Sequence, residues 1–239
     1  MKTVMIKDKL RQIGVEIEDV VLGDFDVIGE YTAKKVRSPD KSQYKTVGAF
    51  FRPNYERGIL MYHLVGEKQI RSVLEIGFGR GYSTMCMAKA MCDFGINGKI
   101  ITVDPNLDEK FIKSLTEVFP SEWFSKIIFY KDTAENYYKN SKNERFDFIY
   151  IDGDHRYEAV RKDWDFAKAN FNQFVLFDDY HMPTKSQTDI ECASLIDQIE
   201  EFNKELIIMD RRIFFDDRRL EDSEIDYGQV LVTFRDKND

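Results

Sequence analysis

Between residues 72 and 181 the apolar and polar positions fall into two alternating kinds of block. Five short runs, Ser72 to Ile76, Lys99 to Val103, Lys126 to Tyr130, Phe146 to Ile151 and Gln173 to Phe177, are rich in β-branched and aromatic residues. Their length and near-continuous apolar character are those of strands buried on both faces. The stretches between them, Tyr82 to Phe94, Asp108 to Phe119, Ala134 to Asn140 and Tyr157 to Phe171, have helical spacing. In the last, Tyr157, Val160, Trp164, Ala167 and Phe171 recur at intervals of three and four, which puts them on one helix face. Repeated strand, helix, strand predicts an α/β, Rossmann-like, doubly wound and mostly parallel sheet with right-handed crossovers.

The ends of the chain read differently. After Asp179 come a loop with Pro183 and a helical pattern carrying Ile190, Ala193, Ile196 and Ile199. Two β-rich runs follow, Leu206 to Met209 and Val230 to Phe234, separated by the charged insert FFDDRRLEDSEID. They predict a C-terminal antiparallel hairpin that brings the sheet to seven strands. Near the start, Arg57 to Val65 predicts a helix, whereas VEIEDVVLGDFDVIGEY has mixed periodicity and receives no element. No Gly/Ser/Pro-rich linker, internal repeat or low-complexity segment interrupts the chain, so the first 66 residues are expected to cap the same domain.

The candidate chemistry begins in VLEIGFGRGYST, residues 73 to 84, where a strand runs into Gly77, Gly79 and Gly81. Glycines at such a strand-to-helix turn allow unusual backbone angles and let main-chain N–H groups approach a ligand, although a tight turn without a ligand uses the same residues. The spacing is GxGxG rather than the GxGxxG of dinucleotide sites. Asp104, at the end of the second strand in KIITVDP, lies where an acid grips a ribose diol in nucleoside-binding α/β folds. A nucleoside-bearing ligand is the expectation.

Acids also end the next strands, in IDGDH at Asp152 and Asp154, and in FDDYH at Asp178 and Asp179. Adjacent parallel strands bring these carboxylates to one rim, where they repel unless protonated or bridged by a cation, and hard oxygen donors suit Mg²⁺. Acids at strand ends also cap helices, the alternative for Asp154.

Glu75, Gly77, Gly81, Tyr82 and Ser83, followed by Asp104, resemble the cofactor motif of class I S-adenosylmethionine-dependent methyltransferases, in the catechol and caffeoyl-CoA O-methyltransferase branch. The resemblance spans roughly residues 70 to 180, and the DGDH and FDDYH wording is closer to bacterial sugar and macrolide O-methyltransferases. It implies that the loop, with Gly79, and Ser83 receive the amino-acid end of S-adenosyl-L-methionine, with Glu75 facing the ammonium. It implies that Asp104 takes the ribose, that Asp132, Thr133 and Ala134 lie by the adenine, and that Asp152 borders the cofactor. It also implies Mg²⁺ on Asp152, Asp178 and Asp179, and His155 as the base for the substrate hydroxyl, with His181 as rival. Residues 1–66 would form the cap and substrate lid, and residues 67–239 the cofactor-binding domain. The turn NFNQ at residues 170 to 173 lacks the Gly-Gly common in the family.

Composition narrows the partners. A formal net charge of −8 over 239 residues argues against nucleic acid or an anionic membrane, and no aromatic amino-methylation motif of the Asn/Asp-Pro-Pro-Tyr/Phe kind is present. Basic pairs such as Lys34-Lys35 and Arg211-Arg212 read as solvated surface. No apolar leader or span is legible, so a cytoplasmic location is expected. Cys86, Cys92 and Cys192 have neither disulfide pairing nor zinc-ligand spacing and read as reduced packing residues. The expected substrate is the hydroxyl of a small molecule or sugar, reached past an aromatic group of Tyr44, Phe50, Phe51 and Tyr55 that also suits cap packing; a homodimer is the assembly carried forward. Two rivals remain: an iron hydroxylase on the same fold, with His155, His181 and Asp178 as ligands, and a non-catalytic binding module.

Overall fold

The structure is a computed structural model that describes residues 1–34, 55–181, 191–209 and 227–235. The expectations placed on Lys35, Tyr44, Phe50, Phe51, the loop with Pro183, Ile190, Arg211, Arg212 and the charged insert lie outside the described residues, as do the side chains of Lys34, Tyr55 and His181.

The elements are β1 (Lys2–Met5), α1 (Ile6–Gln12), a 3-10 turn (Ile17–Asp19), α2 (Leu22–Lys34), α3 (Tyr55–Glu67), β2 (Ser72–Ile76), α4 (Tyr82–Asp93), β3 (Lys99–Val103), α5 (Glu109–Thr116) and α6 (Ser121–Phe124). They continue with β4 (Ile127–Tyr130), α7 (Ala134–Asn140), β5 (Phe146–Ile151), α8 (Tyr157–Asn170), β6 (Phe171–His181), α9 (Cys192–Ile196), β7 (Asn203–Ile208) and β8 (Tyr227–Thr233). One sheet holds all strands in the order β1-β7-β8-β6-β5-β2-β3-β4. Every neighbouring pair is parallel except those made by β8, which runs antiparallel to both β6 and β7.

The expected architecture is present, with an eighth strand added at the edge. Thr3 pairs with Leu206 and Val4 with Ile207, so the extreme N-terminus is part of the sheet. The unassigned stretch contains α2, whose Phe25, Ile28 and Thr32 are buried at helical spacing. The long helix expected from Asp108 to Phe119 ends at Thr116, and a separate short helix follows Pro120, which fixes φ and donates no N–H.

Successive strand residues face opposite sides, and each side has its own core. Val73, Ile100, Phe148, Tyr150 and Leu176 lie beneath α1 to α5, while Leu74, Ile76, Ile149, Ile151 and Val175 lie beneath α7, α8 and α9. Helix α3 seats closely on α4 because Gly58 presents no side chain: a Cβ there would stand 2.4 Å from the Tyr82 hydroxyl oxygen. The chain leaves β2 toward β3 and β4, then returns across to β5, so the strand order switches direction between β2 and β5. That is where open α/β sheets receive ligands.

Candidate active site

The glycine turn sits at this switch point. Gly77, Gly79 and Gly81 have φ of +95°, +53° and +78°, a backbone region that L side chains rarely adopt. Gly77 is held between strands: its N–H donates to the Val103 carbonyl at 3.0 Å, and a Cβ would lie 2.1 Å from the Asp152 carbonyl oxygen. Gly81 begins α4, and a Cβ there would meet the Phe78 ring at 2.5 Å.

Asp104 lies beside this turn, as expected, but it also supports it. Its Oδ2 accepts the N–H groups of Phe78 and Gly79, each at 3.1 Å, while Oδ1 accepts from Asn106 N at 2.7 Å. A carboxylate with several acceptor directions can fix the loop and still face a ligand. Asp132 stands at the end of the neighbouring strand, accepting from Thr133 N and the Asn136 side chain, and the Asn136 bond above all lowers its ionisation range. Thr133 caps α7, and Ala134 opens that helix.

Glu75 points away from the solvent side of the loop, into the layer below α4. It is 1% exposed and accepts a hydrogen bond from the Thr84 hydroxyl. Burial pushes its carboxyl up to about 7, against the opposing pull of Thr84, Thr102 and Arg57. Tyr82 and Ser83 are buried at 7% and 5%.

At the ends of β5 and β6, Asp152 and Asp178 face the α3 side of the sheet, in line with Tyr150 and Leu176. Asp178 is 1% exposed; its Oδ1 accepts from Gln229 Nε2 at 2.9 Å and its Oδ2 from the Arg57 guanidinium. Arg57 Nη1 also lies 3.3 Å from Asp152 Oδ2, and the Tyr150 hydroxyl donates to the same oxygen at 3.2 Å. Burial first, and then the adjacent Asp178, push Asp152 above the usual carboxylate range, with Arg57 opposing.

Asp179 is set apart from Asp178 by backbone geometry. The β6–β8 register shifts between Phe177 and Tyr180, and Asp179 has a φ of +51°, so two consecutive acids escape simple strand alternation. Asp179 Oδ2 lies 3.2 Å from His155 Nε2, and the other ring nitrogen of His155 lies 3.7 Å from Cys192 Sγ. Burial, reinforced by the nearby aspartates, pushes the Cys192 thiol up to about 12, so it meets the imidazole as a neutral neighbour. Asp154 leaves the group and pairs with Arg156 at the surface. It does not cap α8: Glu191 does, accepting from Tyr157 N at 2.7 Å.

The expected ion set of Asp152, Asp178 and Asp179 is therefore not assembled as three open carboxylates. Donor atoms of Asp152, His155 and Asp179 do come within 4.8 Å of one another. The iron set of the rival reading loses Asp178 to Arg57 and Gln229. Sequence reasoning missed Arg57, Gln229 and Cys192. Arg57 opens an apolar helical run and Gln229 interrupts a β-rich one, yet neither position alone reveals a buried polar partner.

Comparisons with known proteins agree with the geometry. Residues 74–180 match a family described as a methyltransferase domain. A Klebsiella pneumoniae structure, provisionally assigned as an O-methyltransferase, superposes with a TM-score of 0.61 at 14% identity, covering 97% of this chain and 96% of that one. The O-methyltransferase TomG from Streptomyces achromogenes, solved with S-adenosylmethionine, gives 0.57 at 14% identity, with 90% of each chain covered. The O-methyltransferase of Bacillus cereus, solved with S-adenosylhomocysteine, gives 0.54 at 16%, covering 90% of this chain and 100% of that one. No curated protein matches. Among the described residues no helix is long and apolar enough to cross a membrane. The chain thus resembles a methyltransferase domain over residues 74–180 and shares its fold with O-methyltransferases.

Proposed function

We propose that this chain is an S-adenosylmethionine-dependent O-methyltransferase acting on a hydroxyl of a small molecule or sugar. The observation that carries the reading is the junction at Gly77, where the glycine turn, Asp104 and the end of β5 meet so closely that a Cβ would stand 2.1 Å from Asp152 O. The donor set suits this cofactor: backbone N–H groups for a carboxylate, and acids for an ammonium, a sulfonium and a ribose. The turn from Gly77 to Gly81 with Ser83 would hold the amino-acid end, Asp104 the ribose, Asp132, Thr133 and Ala134 the adenine side, and Asp152 the border with the acceptor. When bound, S-adenosylmethionine supplies an electrophilic methyl group on sulfur.

The chain's own part is to position the acceptor and remove its proton. A hydroxyl that displaces Asp179 Oδ2 from His155 Nε2, a contact of 3.2 Å in this structure, can pass its proton to the freed nitrogen once the neutral ring carries its hydrogen on Nδ1, and Asp179 close by balances the imidazolium charge. Cys192 beside the other nitrogen holds the ring plane. Within this reading residues 1–66 serve as cap and substrate lid over residues 67–239, and the support is that α3 brings Arg57 onto the strand-end acids. Mg²⁺ does not fit the set first expected, because Asp178 is buried and the positive charge of Arg57 already lies against both it and Asp152. No step is assigned to it.

The test is methyl transfer from labelled S-adenosylmethionine to a panel of hydroxylated sugars, macrolides and catechols. Label on an acceptor oxygen, lost in His155→Ala while cofactor binding persists, supports the reading. Incorporation at nitrogen or carbon refutes it.

A further inference from the structure

Within the methyltransferase reading, one feature of the acidic rim departs from a metal-dependent site. Two carboxylates on adjacent strand ends, Asp152 and Asp178, must share a cation or a proton, since like charges so close cannot both stand uncompensated. The cation is already there. Arg57 Nη1 contacts Asp178 Oδ2 and lies 3.3 Å from Asp152 Oδ2.

The surroundings make Arg57 a built-in member of the site rather than a passing surface charge. Asp178 is 1% exposed and the Arg57 side chain 22%, so the pair is shielded from solvent competition. Gln229 Nε2 donates to the other Asp178 oxygen at 2.9 Å, and the Tyr150 hydroxyl reaches Asp152 at 3.2 Å. Helix α3 delivers the guanidinium because Gly58, the next residue, lets it pack against Tyr82 at a distance no side chain would tolerate.

We propose that Arg57 takes the place of the divalent ion in this site, bridging Asp152 and Asp178 from within the chain and offsetting one of their two charges, and that methyl transfer here is metal-independent. Arg57 acts as a positioning residue: it fixes the two carboxylates and keeps the rim at the charge the acceptor meets. A divalent ion held by Asp152, His155 and Asp179 would sit beside this guanidinium. At such separations like-charge repulsion lowers ion affinity by more than about a hundredfold at an effective protein dielectric near 20.

The experiment is a Mn²⁺ titration of the full chain, read by loss of the free-ion paramagnetic resonance signal and by calorimetry. Wild type and Arg57→Lys are expected to take up no Mn²⁺. Arg57→Met is expected to bind a single ion at least about a hundredfold more tightly than wild type, and Asp152→Asn in that background to abolish the gain. Stoichiometric Mn²⁺ uptake by wild type overturns the inference, and so does a folded Arg57→Met that binds no better. If Arg57→Met does not fold, the wild-type titration decides alone, absence of uptake supporting the inference and uptake overturning it. Titration of the same samples with S-adenosylmethionine keeps the two readings apart. Absent cofactor binding refutes the proposed function, whereas methylation lost in chelator and restored by Mg²⁺ upholds that function and refutes the role of Arg57.

Discussion

Replacing Glu75 by Gln removes a buried acid while keeping its shape and an oxygen for the Thr84 hydroxyl. Glu75 is 1% exposed, and its carboxyl is raised from 4.5 to about 7, chiefly by burial. At about 1.4 kcal/mol per pH unit, the shift amounts to about 3 kcal/mol of penalty for the ionised form. The sign follows from which state holds the proton. Below about pH 4.5 both folded and unfolded chains are protonated and Glu75 costs nothing. Between about 4.5 and 7 the unfolded chain releases the proton and the folded one keeps it, so stability falls as pH rises. Above about 7 the full penalty is present. Glu75→Gln should therefore match wild type near pH 4.5 and exceed it by up to about 3 kcal/mol at pH 8, measured by urea denaturation monitored by circular dichroism. A stability difference that does not change with pH, or a variant weaker than wild type at pH 8, would refute the burial argument and show an ionised, well-compensated Glu75.

Other substitutions probe neighbouring parts of the fold. Gly77→Ala puts a Cβ 2.1 Å from the Asp152 carbonyl oxygen at a φ of +95°, so denaturation should show a loss of about 2 kcal/mol or more, with weakened cofactor binding in calorimetry. His63 on α3 has its imidazole lowered to about 4 by burial, so the folded chain resists a proton that the unfolded chain accepts. Stability should fall as pH drops from about 6.5 toward 4, and His63→Gln should flatten that slope in the same denaturation series; an unchanged slope contradicts the assignment.

The central strands were legible because each carries its own signal. SVLEI, KIITV and FDFIYI are apolar runs bounded by turn residues, and they occupy β2, β3 and β5 with the expected ends. β1 was not legible. Only Val4 of its four residues is buried, and what makes it a strand is pairing with β7, some two hundred positions away. Helix α2 was hidden because Val15, Ile17, Val20 and Val21 superimpose a strand-like rhythm on Phe25, Ile28 and Thr32. β6 extends to eleven residues because β8 pairs with Tyr180 and His181 beyond the bulge, a long-range effect.

The site divides in the same way. Asp104, Asp152, Asp178 and Asp179 follow strands, so their shared rim could be read from the alternation of elements. Their partners could not. Arg57 arrives from a helix that precedes the first central strand, Gln229 from β8, and Cys192 from α9, and only tertiary packing brings these to the acids. The second role of Asp104, holding the N–H groups of Phe78 and Gly79, likewise depends on the approach of β2 to β3.

The claim on which the rest depends is that the glycine turn and Asp104 form a binding site for a methyl donor. Isothermal calorimetry of the full chain with S-adenosylmethionine tests it directly, with Asp104→Ala alongside. The account predicts saturable binding at one site per chain and at least about a tenfold weakening in the variant, the scale of one lost charge-assisted contact. No heat of binding in wild type, or equal affinity in a folded Asp104→Ala, would contradict it.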